Sequence, residues 1–130
     1  MAKRVLVLRT CKADGTSPSV DAGYRGTATA GDRGTATAGK YGTATAGDLG
    51  TATAGEYGTA TAGKYGTAPA GERGTATAGD RGTATAGKYG ILQVMHWHMN
   101  RKRVVTGYVG EDGIEPNVAY KVVDGKLVKA

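Results

Sequence analysis

The sequence predicts an all-β protein, a two-sided β-solenoid with 16-residue coils, and three observations carry that reading. From Gly26 to Tyr89 the chain is eight consecutive octads of the form Gly-Thr-Ala-Thr-Ala-Gly-x-x. Each octad holds one period-two segment, Thr-Ala-Thr-Ala, closed by Gly on both sides, which reads as a short strand between tight turns. The chain has 23 Gly and no Phe among 130 residues, so its interior must be built from small side chains. One such strand buries almost nothing, and stability has to come from stacking copies about 4.8 Å apart.

The number of octads per coil follows from the seventh position of the repeat, because residues one coil apart lie directly above one another. In order, that position holds Asp32, Lys40, Asp48, Glu56, Lys64, Glu72, Asp80 and Lys88. Three octads per coil would stack like charge on like, including Lys40 on Lys64 on Lys88. Two octads per coil place Lys40 on Glu56, Asp48 on Lys64, Lys64 on Asp80 and Glu72 on Lys88, leaving Asp32/Asp48 and Glu56/Glu72 as the repulsive pairs. The prediction is therefore about four coils of two octads, roughly 19 Å of stack. The eighth position then forms one column of Tyr41, Tyr57, Arg73 and Tyr89, a stacking and cation–π ladder, and a second, weaker column of Arg33, Leu49, Tyr65 and Arg81.

Alternation sends both Thr of an octad to one face and both Ala to the other. Ala inside is favoured, because a buried hydroxyl needs a partner and the strand backbone is already committed to the ladder. The alternative is an internal Thr ladder bonded to itself. In the sixth octad Pro69 replaces the second Thr and cannot donate to a ladder.

Three segments result. Residues 1–25 comprise an N-terminal capping strand, Lys3 to Arg9, and a degenerate octad, Pro18 to Arg25. Residues 26–89 are the repeat, and residues 90–130 are a mostly β C-terminal cap that begins in register with Gly90-Ile-Leu-Gln-Val94. Basic Arg101-Lys-Arg103 belongs at an edge or turn, where charge discourages further pairing. Glu111-Asp112-Gly113 and Asp124-Gly125 are turn signals, followed by a last strand at Lys126-Leu-Val128.

Several function classes are disfavoured by the residues themselves. The +6 net charge is scattered among acids through the repeats, which argues against nucleic acid. Gly34 to Lys40 matches a phosphate-loop spacing, yet Tyr41 follows the Lys, no helix follows, and the pattern recurs at Gly58–Lys64 and Gly82–Lys88 as a by-product of the repeat. No nucleotide and no cofactor is expected. His96 and His98 share one face of a strand but lack a third ligand, and Lys40, Lys64 and Lys88 stand where calcium would need acids, so no metal is expected. With one Cys, Cys11, no internal disulfide forms. No catalytic constellation is visible, and the chain reads as a non-enzyme. Val5-Leu-Val-Leu8 is too short for a secretory core and no stretch reaches transmembrane length, so the sequence predicts a cytoplasmic protein without membrane insertion, surface display by another route being left open.

What remains is the Thr-x-Thr array, either a soluble β-forming surface or a rigid grid that orders water. Here the chain resembles the bacterial ice nucleation proteins. Ala38-Gly-Lys-Tyr-Gly-Thr-Ala-Thr-Ala-Gly47 is similar to their repeat core, Ala-Gly-Tyr-Gly-Ser-Thr-x-Thr-Ala-Gly, and Arg103 to Tyr120 is similar to their C-terminal cap. The resemblance implies 16-residue coils, a Tyr ladder, self-association, and water- or ice-organising sites at Thr27 and Thr29, Thr35 and Thr37, Thr43 and Thr45, Thr51 and Thr53, Thr59 and Thr61, Thr75 and Thr77, and Thr83 and Thr85. Members of that family have dozens of coils, so a chain of this size is expected to bind ice weakly and not to nucleate it well. The expected partners are ordered water, ice or a second copy in a homo-oligomer. The alternatives are a structural or protein-interaction module without ice activity, and a polysaccharide-binding repeat using the Tyr and Arg edge.

Overall fold

A computed structural model describes residues 10–13 and 19–130 of the chain. It is all-β, a β-solenoid of about five turns in which fourteen strands form two seven-stranded sheets among the described residues. Sheet A runs β1 (Thr10–Ala13), β3 (Thr27–Ala30), β5 (Thr43–Ala46), β7 (Thr59–Ala62), β9 (Thr75–Ala78), β11 (Ile91–His98) and β12 (Arg101–Tyr108). Sheet B runs β2 (Ser19–Ala22), β4 (Thr35–Ala38), β6 (Thr51–Ala54), β8 (Thr67–Pro69), β10 (Thr83–Thr85), β13 (Ala119–Val123) and β14 (Lys126–Lys129). From β1 to β11 successive strands alternate between the sheets, and each of β1 to β9 pairs in parallel with the strand two places on, Thr43 against Thr59 and Thr51 against Thr67. That 16-residue offset is the two-octad coil.

Ala faces inward. In every complete repeat strand both Ala are buried and both Thr are half-buried or exposed, and no polar side chain is buried among the described residues. Through the array the core is a file of methyl groups, with Ala28, Ala44, Ala60 and Ala76 all fully covered. The Gly pairs set this thinness. A Cβ on Gly50 would lie 2.8 Å from Ala46 Cβ and 2.8 Å from the Gly34 carbonyl oxygen. One on Gly63 would lie 2.9 Å from the Asp48 backbone nitrogen, so only Gly lets adjacent coils approach this closely at the corners.

Between strands the chain makes a four-residue turn closed by a backbone hydrogen bond, Gly50 N–H to Gly47 carbonyl at 3.1 Å and Gly66 N–H to Gly63 carbonyl at 3.0 Å. Only its second central residue has positive φ, the signature of a type II turn. That residue is the eighth position, left-handed at all nine sites from Arg25 (φ 55) to Tyr89 (φ 62) and never Gly. An L-residue there costs roughly 1–2 kcal/mol. From Arg25 to Arg73 the N–H of each such residue compensates by donating to the seventh-position carbonyl one coil on, as Tyr41 does to Glu56 at 2.8 Å and Leu49 to Lys64 at 2.8 Å.

Two features revise the sequence reading. The solenoid has about five turns rather than four, because Thr10–Ala13 pairs with β3 and forms, with the degenerate octad at β2, an additional coil. Its offset to β3 is 17 residues where β2 to β4 keeps 16, which hides it from a strict octad count. The capping strand expected at Lys3 to Arg9 lies outside the described residues. The charge column also works differently than expected. One of the attractive pairs, Lys40 with Glu56 at 3.1 Å, is an ion pair, and Glu56 holds the Lys40 ammonium above its ordinary pKa through their hydrogen bond and charge. Asp32 and Asp48, expected to repel, are connected: Asp48 N–H donates to Asp32 Oδ1 at 3.1 Å, and Lys64 N–H donates to Asp48 Oδ1 at 2.8 Å. A carboxylate short enough to reach the next backbone N–H there caps the coil above it, and like charges become tolerable.

The C-terminal cap ends each sheet with an antiparallel hairpin. β11 continues sheet A in register with β9 and folds back as β12, while β13 pairs antiparallel with β10 and folds back as β14. Here the core becomes conventional, with Leu92 and Val94 fully buried beside Val109, Ile114 and Tyr120. Both hairpin turns have two successive left-handed residues, Met99-Asn100 and Asp124-Gly125, as type I′ turns require.

Candidate functional site

The outer surface of sheet A is an unbroken two-column grid. Thr27, Thr43, Thr59 and Thr75 stack in one column and Thr29, Thr45, Thr61 and Thr77 in the other, each in direct Cα register with the next. β-Branched side chains are stiff at χ1, so parallel register repeats one rotamer environment coil after coil. Above the grid Ile91 and Gln93 take the two Thr positions, and Thr77 Oγ1 donates to Gln93 Oε1 at 3.1 Å, closing the column in a hydrogen bond.

Sheet B has the same design with one defect. Thr35, Thr51, Thr67 and Thr83 form a complete column, whereas the other runs Thr37, Thr53, Pro69 and Thr85. Between β6 and β8 the ladder register is reduced to Thr51 with Thr67 and an isolated bridge of Ala54 with Ala70. The alternation of the ladder assigns the missing donor: Thr67 N–H bonds the Gly50 carbonyl at 2.9 Å, and two residues on the same role falls to Pro69, which has no N–H. Thr67 itself completes the first column. It is a site position missed by counting intact Thr-x-Thr pairs, and it is visible only once the columns are drawn.

The edge leading from sheet B to sheet A is aromatic. Tyr41 and Tyr57 stack at 5.0 Å and 10°. Arg73 lies 5.7 Å from the Tyr57 ring and 5.4 Å from the Tyr89 ring, and its Nη1 donates to the Tyr57 hydroxyl at 2.6 Å. That bond and the neighbouring charges raise the Arg73 pKa above its ordinary value, keeping the cation fully charged in the column. Below, Arg25 lies 5.6 Å from the Tyr41 ring, and Tyr24 meets Tyr41 edge to face at 5.9 Å. The structure thus brings together Tyr41, Tyr57, Arg73 and Tyr89 and adds Tyr24 and Arg25, which the octad frame placed in the degenerate unit.

The opposite edge holds Arg33, Leu49, Tyr65 and Arg81. Within it Arg81 packs on Tyr65 at 5.9 Å and donates to its hydroxyl at 3.1 Å. The Asp32 and Asp48 caps belong to this edge. Among the described residues no three His, Cys, Asp or Glu side chains gather as a metal-holding group, and the side chain of His98 lies outside what is described.

Chemically, the molecule offers two arrays of hydroxyl and methyl groups, one complete and one interrupted, and one column of Tyr rings joined through Arg73. Comparison with protein-family models, with curated proteins and with solved structures finds no match for this chain.

Proposed function

We propose that this protein is a non-catalytic scaffold whose Thr-x-Thr faces order surface water and so engage ice, with the sheet A face the stronger of the two. One observation carries the reading. Eight Thr side chains on β3, β5, β7 and β9 occupy one face at fixed register, with nothing larger than a methyl behind them and no charged residue among them. The spacing is set by the sheet, about 4.8 Å between coils and about 6.7 Å along the strand, and a lattice of water is the kind of partner that matches a repeat this strict. Each Thr presents a hydroxyl that donates and accepts beside a methyl that does neither, so first-shell water is held in position. The resemblance to the ice nucleation proteins supports the same conclusion.

Four coils of complete grid form a small template, and the expected activity is modest: faceting of a growing ice crystal and slowed recrystallisation. The test is ice-crystal morphology in a nanolitre osmometer, comparing the protein with a variant carrying Lys at Thr43, Thr45, Thr59 and Thr61. Faceting by the native protein and round crystals with the variant is the expected result. Round crystals with both remove the reading.

A second reading has its own observation. Tyr41 and Tyr57, which stack, and Tyr89, which packs on Arg73, are all exposed, and a column of partly exposed rings is a surface that a second copy can extend. In this reading the protein is an assembly module. Light scattering over a concentration series, with the native chain and Tyr41→Ser/Tyr57→Ser, checks it: a defined oligomer lost in the variant supports it, and a monomer throughout removes it.

A further inference from the structure

The C-terminal hairpin creates a concave site that the repeat alone could not make. β11 stays in register with β9 as far as Val94 opposite Ala78, the point at which every lower coil turns, and then runs straight on to His98 with β12 alongside. The extension overhangs the edge that carries Asp48, Lys64 and Asp80 and roofs a groove of about 430 Å³, lined by those three residues and by Trp97, Met95 and Lys102 among others. This size falls within the range of small-molecule sites, about 300–1,000 Å³. Asp80 ties the roof down, its Oδ1 accepting from Trp97 N–H at 3.3 Å.

The lining has unspent hydrogen-bonding capacity of both kinds. Asp48 and Asp80 each engage Oδ1 on a backbone N–H, and their second oxygens have no hydrogen-bond partner among the described residues. Lys64 and Lys102 make no ion pair among the described residues. Two carboxylates and two ammonium groups balance one another, so the groove has no strong bias toward one sign of charge and offers strong acceptors and strong donors to hydroxyl groups. The Trp97 ring, 57% exposed, adds a flat apolar wall of the kind on which the C–H face of a sugar ring packs. The coils beneath hold these groups on a rigid frame, which lowers the ordering cost of binding.

We propose that this groove binds a neutral saccharide, with one ring against Trp97 and its hydroxyls bridging the Asp48 and Asp80 carboxylates and the Lys64 and Lys102 ammonium groups. The groove borders the sheet A grid at Thr61, but Asp48, Lys64, Asp80, Trp97 and Lys102 lie outside that grid, so substitutions at Asp48 and Trp97 test saccharide binding apart from ice binding.

Trp97 is the sole Trp of the chain, so its fluorescence reports the site directly. The full chain is titrated with cellotriose, maltotriose and chitotriose, and with glucuronate and lysine amide as anionic and cationic probes. The expected result is a saturable shift of Trp97 emission with at least one neutral trisaccharide, half-complete at about 1 mM or below. Asp48→Asn, in an exposed turn and checked for an unchanged circular dichroism spectrum, should weaken it about tenfold. Trp97→Ala should abolish the heat of binding by calorimetry. Absence of a saturable response up to about 20 mM, a response confined to the charged probes, or an unchanged affinity in a folded Asp48→Asn protein overturns the proposal.

Discussion

The repeat body and the C-terminal cap are both hydrophobic cores covered by β-sheet, but they are built on opposite principles. In the body the largest inward side chain is Ala, and the sheets close over Gly corners where a single added carbon would strike backbone. In the cap Leu92, Val94, Ile114 and Tyr120 fill a conventional interior, and at Gly107 an added side chain would run into other side chains, Ile114 and Leu127, and not into backbone. The body is stabilised by ladder hydrogen bonds and close approach repeated coil after coil, the cap by volume. The body should therefore fail when something is added, and the cap when something is removed.

Leu92→Ala is expected to have the largest effect. It leaves a cavity where the last coil meets the cap and should cost about 3 kcal/mol, read as a lower denaturation midpoint. Next comes Gly50→Ala, the mirror-image change, which overlaps the Gly34 carbonyl and the Ala46 methyl and should cost about 2 kcal/mol. Because each coil contacts only its neighbours, hydrogen exchange should show the Gly50→Ala damage confined to adjacent coils, while Leu92→Ala should loosen the whole C-terminal end.

Repairs sharpen the contrast further. Pro69→Thr returns a donor to the Ala52 carbonyl and completes the second column of sheet B, a net gain of about 1 kcal/mol after the lost rigidity of Pro in the unfolded chain is counted. Leu49, left-handed at φ 60, is mostly exposed, and Leu49→Asn should gain about 0.5 kcal/mol because Asn tolerates that conformation. Equal or lower stability of both variants would mean that the turns and ladder are less restrictive than the geometry implies.

The smallest effect concerns the one ion pair of the charge columns. Since Glu56 raises the Lys40 pKa, the pair contributes below the ordinary value of 10.5 and the contribution disappears as pH climbs past the raised folded value. Lys40→Met should therefore melt slightly below the native chain at about pH 9, with the two curves converging at about pH 12.

The same division explains what could be read from the sequence. Coil length, the inward Ala and the Tyr41, Tyr57, Arg73, Tyr89 column were legible because each is multiplied by the repeat, so that one geometric choice is tested at many residues. Where repetition stops, legibility falls. Thr10–Ala13 was hidden by a one-residue change of offset, and the Met99-Asn100 turn contains no Gly to mark it. The overhang that makes the groove depends on β11 failing to turn after Val94, which follows from the absence of Gly at Met95 and His98, the positions of the turn's Gly pair, but becomes meaningful only with β12 in place. The charge column led to the correct coil through an incomplete mechanism: opposite charges were expected to attract across coils, and the Asp32 and Asp48 carboxylates instead cap backbone N–H groups.

The central claim is that a complete, flat Thr grid acts on water where an interrupted one does so less. It is tested most directly by measuring ice recrystallisation with two matched variants, one carrying Thr43→Lys and Thr59→Lys on sheet A, the other Thr35→Lys and Thr51→Lys on sheet B. The account predicts loss of activity in the first and retention of most of it in the second. Equal activity in both variants, or none in the native protein, would contradict it.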